Sequence, residues 1–99
     1  MYGTVARFKV KAGKEEDLMA HNQKYEDINI PGFVATAVYK LDSGDCAYIM
    51  AVIFDSKESY RANAESPEQD ARFREFASFL EGEPQWMDGE VVSRQVAPG

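Results

Sequence analysis

The sequence contains a single cysteine and a single histidine, which excludes several kinds of site at once. Cys46 has no partner in the chain for a disulfide bond, and no cysteine-rich metal site can form. This composition fits a protein of the reducing cytoplasm. Cys46 is itself interpreted as a small buried hydrophobic residue, with a reactive thiol as the alternative.

Positive charge is also scarce, since 11 Lys and Arg residues face 17 Asp and Glu residues and give a net charge of −6. Nucleic-acid binding requires cations that face the phosphates, so we expect no nucleic-acid partner. No apolar run approaches the roughly 20 residues of a transmembrane helix. The first ten residues also lack the pattern of a signal peptide, and we therefore expect no membrane association.

Strand and helix patterns succeed each other along the chain, which we interpret as one domain over residues 1–99. Alternating or continuous apolar runs predict strands at 2–11, 33–41, 46–54 and 85–96, the last with a bulge at Gly89. Helical periodicity predicts helices at 12–28, 55–65 and 66–82, and a capping box from Ser66 to Gln69 begins the third. This order predicts an α+β, ferredoxin-like split βαβ fold, a four-stranded antiparallel sheet with helices on one face.

The two central strands, FVATAVYKL and CAYIMAVIF, are apolar on both faces. The polar loop DSGD at 42–45 predicts a hairpin in which Tyr39 lies opposite Tyr48 and Val38 opposite Ile49. Helices can cover only one face of the sheet, which leaves about 400 Å² of apolar surface on the other. We therefore expect a homodimer through the open sheet face, or else a C-terminal segment that folds back over it.

Two polar residues near the middle of the first predicted helix are candidates for chemistry. His21 borders the apolar stripe, and an imidazole with an ordinary pKa near ~6.5 suits a general base. The alternative is a partly exposed helical histidine. Asn22 could orient a substrate oxygen or could simply be a polar residue at the helix edge.

Aromatic and apolar residues form the second candidate group. Such side chains can wall a site for a small apolar or aromatic molecule, or they can be ordinary core residues. The candidates for substrate binding are Tyr25, Tyr39, Tyr48, Met50, Phe54 and Trp86.

The chain resembles the antibiotic biosynthesis monooxygenase family in its layout and in three stretches of sequence. These are PGFV at the opening of the second strand, the AVIFDSKESYRANAESPEQDARF passage and the final WMDGEV. The resemblance implies a dimeric α/β barrel, with a pocket between sheet and helices in each subunit. It also implies oxidation of quinols or polycyclic aromatics without a cofactor or metal.

The sequence departs from that family at five positions. Val52 and Phe54 stand where members often have a Glu-x-Trp pair, and Asn63 and Glu68 stand where histidines are common. Ala6 replaces the asparagine of haem-degrading relatives, so haem degradation is not expected. Two hypotheses follow, a cofactor-independent monooxygenase that uses His21 as its base, and a non-catalytic barrel that binds a small apolar ligand or acts as a scaffold.

Overall fold

Four strands and three helices alternate in a computed structural model that describes residues 1–24 and 28–98. They are β1 (Tyr2–Lys9), α1 (Glu15–Lys24), β2 (Phe33–Lys40), β3 (Ala47–Phe54), α2 (Lys57–Ala64), α3 (Pro67–Ala77) and β4 (Gln85–Glu90). The strands form one antiparallel sheet in the order β2-β3-β1-β4. The predicted α+β, ferredoxin-like fold is therefore confirmed.

The core lies between one face of the sheet and the helices. Alternation along β1 turns Ala6 and Phe8 to that face, and Val10 continues the pattern just after the strand. The core is completed by Leu18, Tyr48, Phe76 and Leu80, which come from α1, β3, α3 and the turn after α3. Phe8 stacks on Tyr48 at 5.7 Å and meets Phe76 edge to face at 5.0 Å, so aromatic packing joins the sheet to α3.

The predicted pairing of the central hairpin is wrong by one residue. Cys46 adopts a left-handed backbone with φ of 59° and belongs to the loop, and Leu41 N donates to Ala47 O at 2.9 Å. The loop thus gains one residue over the predicted four. Tyr39 consequently pairs with Ile49 rather than with Tyr48. Because a shift of one residue exchanges the faces of a strand, Tyr39 and Tyr48 lie on opposite sides of the sheet.

Serine side chains cap both helices that follow β3. Ser56 caps α2, and its hydroxyl and that of Ser59 each accept from the other's backbone N–H. Ser66 caps α3 as predicted and accepts from Gln69 N at 3.1 Å. The predicted second half of the capping box does not form, because the Gln69 side chain instead accepts from Arg72 Nε at 3.1 Å.

Several elements are shorter than predicted. Helix α1 begins at Glu15 rather than at residue 12, and Ile28, the last residue of the predicted helix, lies outside any helix. Helix α3 ends at Ala77, after which Leu80 forms an isolated bridge with Val10. Strand β4 ends at Glu90, and directly after it Val91 N donates to Met1 O at 2.9 Å.

The bulge predicted at Gly89 is absent from the pairing of β1 with β4. Gly89 lies opposite Gly3 in an uninterrupted register. Position 3 requires glycine, because a β-carbon there would collide with the carbonyl oxygen of Val52 on β3.

In the part of the chain that the structure describes, no helix lies over the second face of the sheet. Val5, Tyr39 and Met87 are exposed on this face, and Ile49 and Ile53 are only half-buried. The C-terminal segment does not fold back to cover it as the alternative supposed, because Val92 is 91% exposed and Val96 is 70% exposed. No helix among the described residues is long and apolar enough to cross a membrane.

Candidate functional site

A cavity of about 630 Å³ lies between the helix-side face of β2 and β3 and the inner sides of α1 and α3. Its volume is within the range of sites for small molecules. The residues that line it are His21, Asn22, Gln23, Ile28, Ile30, Phe33, Ala35, Thr36, Ala37, Val38, Met50, Val52, Phe54, Asn63, Gln69, Arg72, Phe73, Phe76 and Trp86. The lining is mainly apolar, with polar groups contributed chiefly by the helices.

Aromatic rings form two of the walls. Phe33 meets Phe54 edge to face with ring centroids 5.9 Å apart, on the side of β2 and β3. Phe73 of α3 lies 6.1 Å from Trp86 of β4, which closes the opposite side. Trp86 remains 43% exposed and therefore stands at the mouth of the cavity. Aromatic side chains at these positions suit contact with an aromatic ligand.

His21 lies at the α1 wall. It follows Leu18 by three residues, so both point from α1 into the protein, and its side chain is only 8% exposed. The imidazole packs edge to face against Phe79 at 5.9 Å. Its Nδ1 lies 3.2 Å from Oε1 of Glu75 on α3. The histidine is thus a fixed cavity residue rather than the partly exposed one of the alternative interpretation.

A polar cluster on the α3 side of the cavity was not predicted from the sequence. Arg72 donates from Nε to Gln69 Oε1 at 3.1 Å and from Nη2 to Asn63 Oδ1 at 3.3 Å. The two amides hold the guanidinium against the cavity. The sequence does contain a signal for Arg72. It lies next to Phe73 and three residues after Gln69, which places it beside the apolar stripe of α3.

The structure brings together five of the eight predicted site residues. His21, Asn22, Met50, Phe54 and Trp86 all line the cavity. Tyr48 lies in the core, and Tyr39 is 59% exposed on the far face of the sheet. Tyr25 is outside the described residues.

Tyr48 belongs to a separate polar network at the end of the hairpin. Its hydroxyl donates to Glu15, and Lys40 Nζ lies 2.8 Å from the same carboxylate. The bonds from Lys40 and Tyr48 lower the pKa of Glu15 to about 2. Burial and the bond to Glu15 raise the pKa of Tyr48 to about 12, so this phenol stays protonated and serves as a donor.

A smaller cavity of about 290 Å³ adjoins the first at Met50, Val52 and Phe54 and extends to Tyr60. The Tyr60 hydroxyl donates to Asp88 Oδ1 at 2.9 Å. Burial and this bond raise the pKa of Tyr60 to about 12. No cluster of three or more metal-ligating side chains is present among residues 1–24 and 28–98.

Solved structures with the same fold come from several organisms. A conserved protein from Methanosarcina mazei superposes with a TM-score of 0.77 at 18% identity, over 89% of each chain. A protein of unknown function from Nitrosomonas europaea gives 0.77 at 17% identity, over 99% of this chain and 95% of that one. SnoaB from Streptomyces nogalater, described as a cofactor-independent oxygenase, gives 0.69 at 18% identity, over 99% and 97%. At these identities the likeness shows the fold alone.

Sequence comparison identifies the family. None of the curated proteins matches the sequence. The sequence model of one family, antibiotic biosynthesis monooxygenase, matches residues 1–82 and confirms the predicted resemblance. The chain therefore belongs to the antibiotic biosynthesis monooxygenase family.

Proposed function

We propose that this protein uses molecular oxygen to oxidise a small phenolic or quinol compound in the 630 Å³ cavity, without a cofactor. The observation that carries the proposal is the placement of the buried His21 at one wall of an aromatic-lined cavity. Family membership and the description of SnoaB as a cofactor-independent oxygenase agree with this chemistry.

The aromatic walls select the shape of the substrate. Phe54 and Phe73 contribute ring surfaces, and Met50 adds a polarisable thioether that adapts to a flat ligand. Trp86 at the mouth covers one edge of a bound ring system. A molecule of one to three fused rings satisfies these contacts within the available volume.

His21 begins the reaction by accepting the hydroxyl proton of the substrate. The resulting phenolate is electron-rich and transfers one electron to oxygen, after which the phenoxyl radical and superoxide combine at a ring carbon that carries hydrogen. His21 returns its proton to the peroxide anion, and loss of water from the resulting hydroperoxide leaves a quinone. The balance is one phenol and one O₂ to one quinone and one water, so the substrate supplies all the electrons.

Two polar groups hold the ring in position. Asn22 lies beside His21 on α1 and offers an amide to a substrate oxygen. Arg72 lies at the α3 wall, where Asn63 and Gln69 fix its guanidinium. A guanidinium stabilises negative charge, so it favours the phenolate over the neutral phenol.

Ligand binding without catalysis is the second candidate function. Val52 and Phe54 line the cavity where relatives often carry the Glu-x-Trp pair, and Asn63 stands in place of a common histidine. None of these three side chains can transfer a proton in the neutral range. The cavity would then only hold an apolar molecule.

Oxygen uptake distinguishes the two functions. The protein is incubated in air with a panel of hydroquinones and naphthols, alongside His21→Gln and, as a control on the far face of the sheet, Tyr39→Phe. We expect uptake by the unchanged protein and by Tyr39→Phe, and a loss of roughly 100-fold in His21→Gln, since general base catalysis contributes at least that much.

Binding is followed separately through the fluorescence of Trp86, the single tryptophan of the chain. Saturable quenching by a compound that causes no oxygen uptake would favour the binding function. Equal uptake by the unchanged protein and His21→Gln would contradict the role of His21.

We further propose that the protein is a homodimer through the open face of its sheet, which completes a dimeric α/β barrel. The support is the set of apolar side chains on that face, among which Val5, Tyr39 and Met87 are exposed in the single chain. A contiguous apolar surface of this kind is seldom left in water by a monomer.

A further inference from the structure

Glu75 connects the candidate base to the second helix of the cavity. Its Oε1 lies 3.2 Å from His21 Nδ1, and its Oε2 lies 3.3 Å from Nζ of Lys24. His21 and Lys24 are three residues apart on one side of α1, so a single carboxylate of α3 contacts both. Glu75 thus belongs to the helix pair that forms the cavity wall.

The imidazole has little freedom to turn away from this carboxylate. Phe76 and Phe79 lie against the ring with centroids 6.3 Å and 5.9 Å away. The Nδ1 atom is itself enclosed by protein. A buried polar nitrogen needs a hydrogen-bond partner, and the carboxylate of Glu75 is within that distance.

The carboxylate stays ionised through the neutral range. Hydrogen bonding to His21 and then the bond and charge of Lys24 hold the pKa of Glu75 below its ordinary value of 4.5. An ionised carboxylate only accepts hydrogen bonds, so Nδ1 of a neutral His21 must carry the hydrogen. The lone pair of the ring then lies on Nε2.

We propose that Glu75 is a positioning residue that holds His21 as the Nδ1–H tautomer, so that Nε2 accepts the hydroxyl proton of the substrate. This role of Glu75 in catalysis rests on the proposed function. The O–H bond of the phenol breaks as the Nε2–H bond forms, and the positive charge of the imidazolium lies against the Glu75 carboxylate. The same division of roles between a carboxylate and a histidine operates in serine hydrolases.

The single histidine makes the tautomer directly measurable. Protein labelled with ¹⁵N-histidine is studied by long-range ¹H–¹⁵N correlation at a pH where the ring is neutral, without any substrate. We expect Nδ1 to carry the hydrogen in the unchanged protein. In Glu75→Leu the signals should change to the Nε2–H form that free histidine prefers, while Glu83→Leu, at an exposed position beyond α3, keeps the original pattern.

An Nε2–H tautomer in the unchanged protein, or an Nδ1–H tautomer that persists in folded Glu75→Leu, would overturn the proposal. Circular dichroism of each variant shows that it is folded. Because no turnover is involved, this result is independent of whether oxygen uptake is observed.

Once a compound that the protein oxidises has been identified, steady-state kinetics gives a second test of the positioning role. Glu75→Leu should lower kcat roughly tenfold or more and leave KM nearly unchanged, because the residue acts through His21 and not on the ligand. An increase in KM at constant kcat would instead show that Glu75 contributes to binding alone and would contradict the positioning role.

Discussion

Glu15 shows how one side chain acquires a role that its local sequence does not reveal. The acidic run at the start of α1 is explained by the helix dipole, which favours anions in the first turn. The fold adds the Tyr48 hydroxyl from β3 and the Lys40 ammonium from β2 as partners. The carboxylate thereby ties the helix to the hairpin that supports the cavity.

We predict that Glu15→Gln lowers the midpoint of urea unfolding at pH 7 more than Glu16→Gln does. The pKa of Glu15 is lowered to about 2 from 4.5, so its stabilising contribution is complete above pH 4.5, declines below that value and is lost near pH 2. The midpoints of the unchanged protein and Glu15→Gln should therefore converge as the pH falls.

Glu16 is the matched control because it is exposed in the same first turn of α1. A constant difference between the unchanged protein and Glu15→Gln from pH 7 to pH 2 would contradict the assigned cause.

Among the helices, α3 contributes the most residues to the cavity. It carries Gln69, Arg72 and Phe73 to the cavity and Glu75 to His21, within its eleven residues. The residue at which α3 begins decides which side chains face the cavity, because each helical turn sets the direction of the next. The cap at Ser66 therefore influences both stability and site geometry.

We predict that Ser66→Ala destabilises the protein by about 1 kcal/mol, the usual cost of losing an N-cap side chain. The hydroxyl accepts from Gln69 N at 3.1 Å and donates to Asn63 O at 2.8 Å, and alanine removes both bonds. Thermal or urea unfolding measures the loss. Ser66→Asp, which keeps an acceptor, should recover most of the stability, and Ser93→Ala in the exposed C-terminal segment should change little.

If Ser93→Ala lowered the free energy of unfolding as much as Ser66→Ala does, the N-cap would not be the cause of the loss.

At the scale of the whole molecule, the two faces of the sheet differ in what lies against them. Tyr48, Met50, Val52 and Phe54 of β3 face the helices and the cavity, whereas Ile49, Ala51 and Ile53 face the open side. Both sets are apolar, which is unusual for a strand with one wet face. The proposed dimer provides the missing cover for the second set.

We predict that Ala51→Glu converts a homodimer to a monomer. Ala51 lies at the centre of the open face, opposite Val5 and Ala37, and a carboxylate there would be buried without compensation in a sheet-to-sheet interface. Sedimentation equilibrium should give twice the chain mass of 11.1 kDa for the unchanged protein and the single chain mass for the variant.

Ala62→Glu makes the same substitution on the exposed side of α2 and should remain dimeric. An unchanged protein that sediments at 11.1 kDa in dilute buffer would contradict the dimer.

The sequence by itself determined the element order, the ferredoxin-like topology and the inward faces of β1 and α3, because these depend on local periodicity and capping. It also predicted the family and placed His21 beside the core. These features follow from spacing along the chain, which the printed sequence shows directly.

Only the tertiary structure decided the composition of the site. The hairpin register depended on the left-handed conformation of Cys46, which no propensity indicates and which removed Tyr39 from the cavity side. Glu75 and Arg72 reached the site because α3 packs against α1 and the sheet at one particular rotation. Side-chain partners distant in sequence depend on that packing, and no local pattern encodes it.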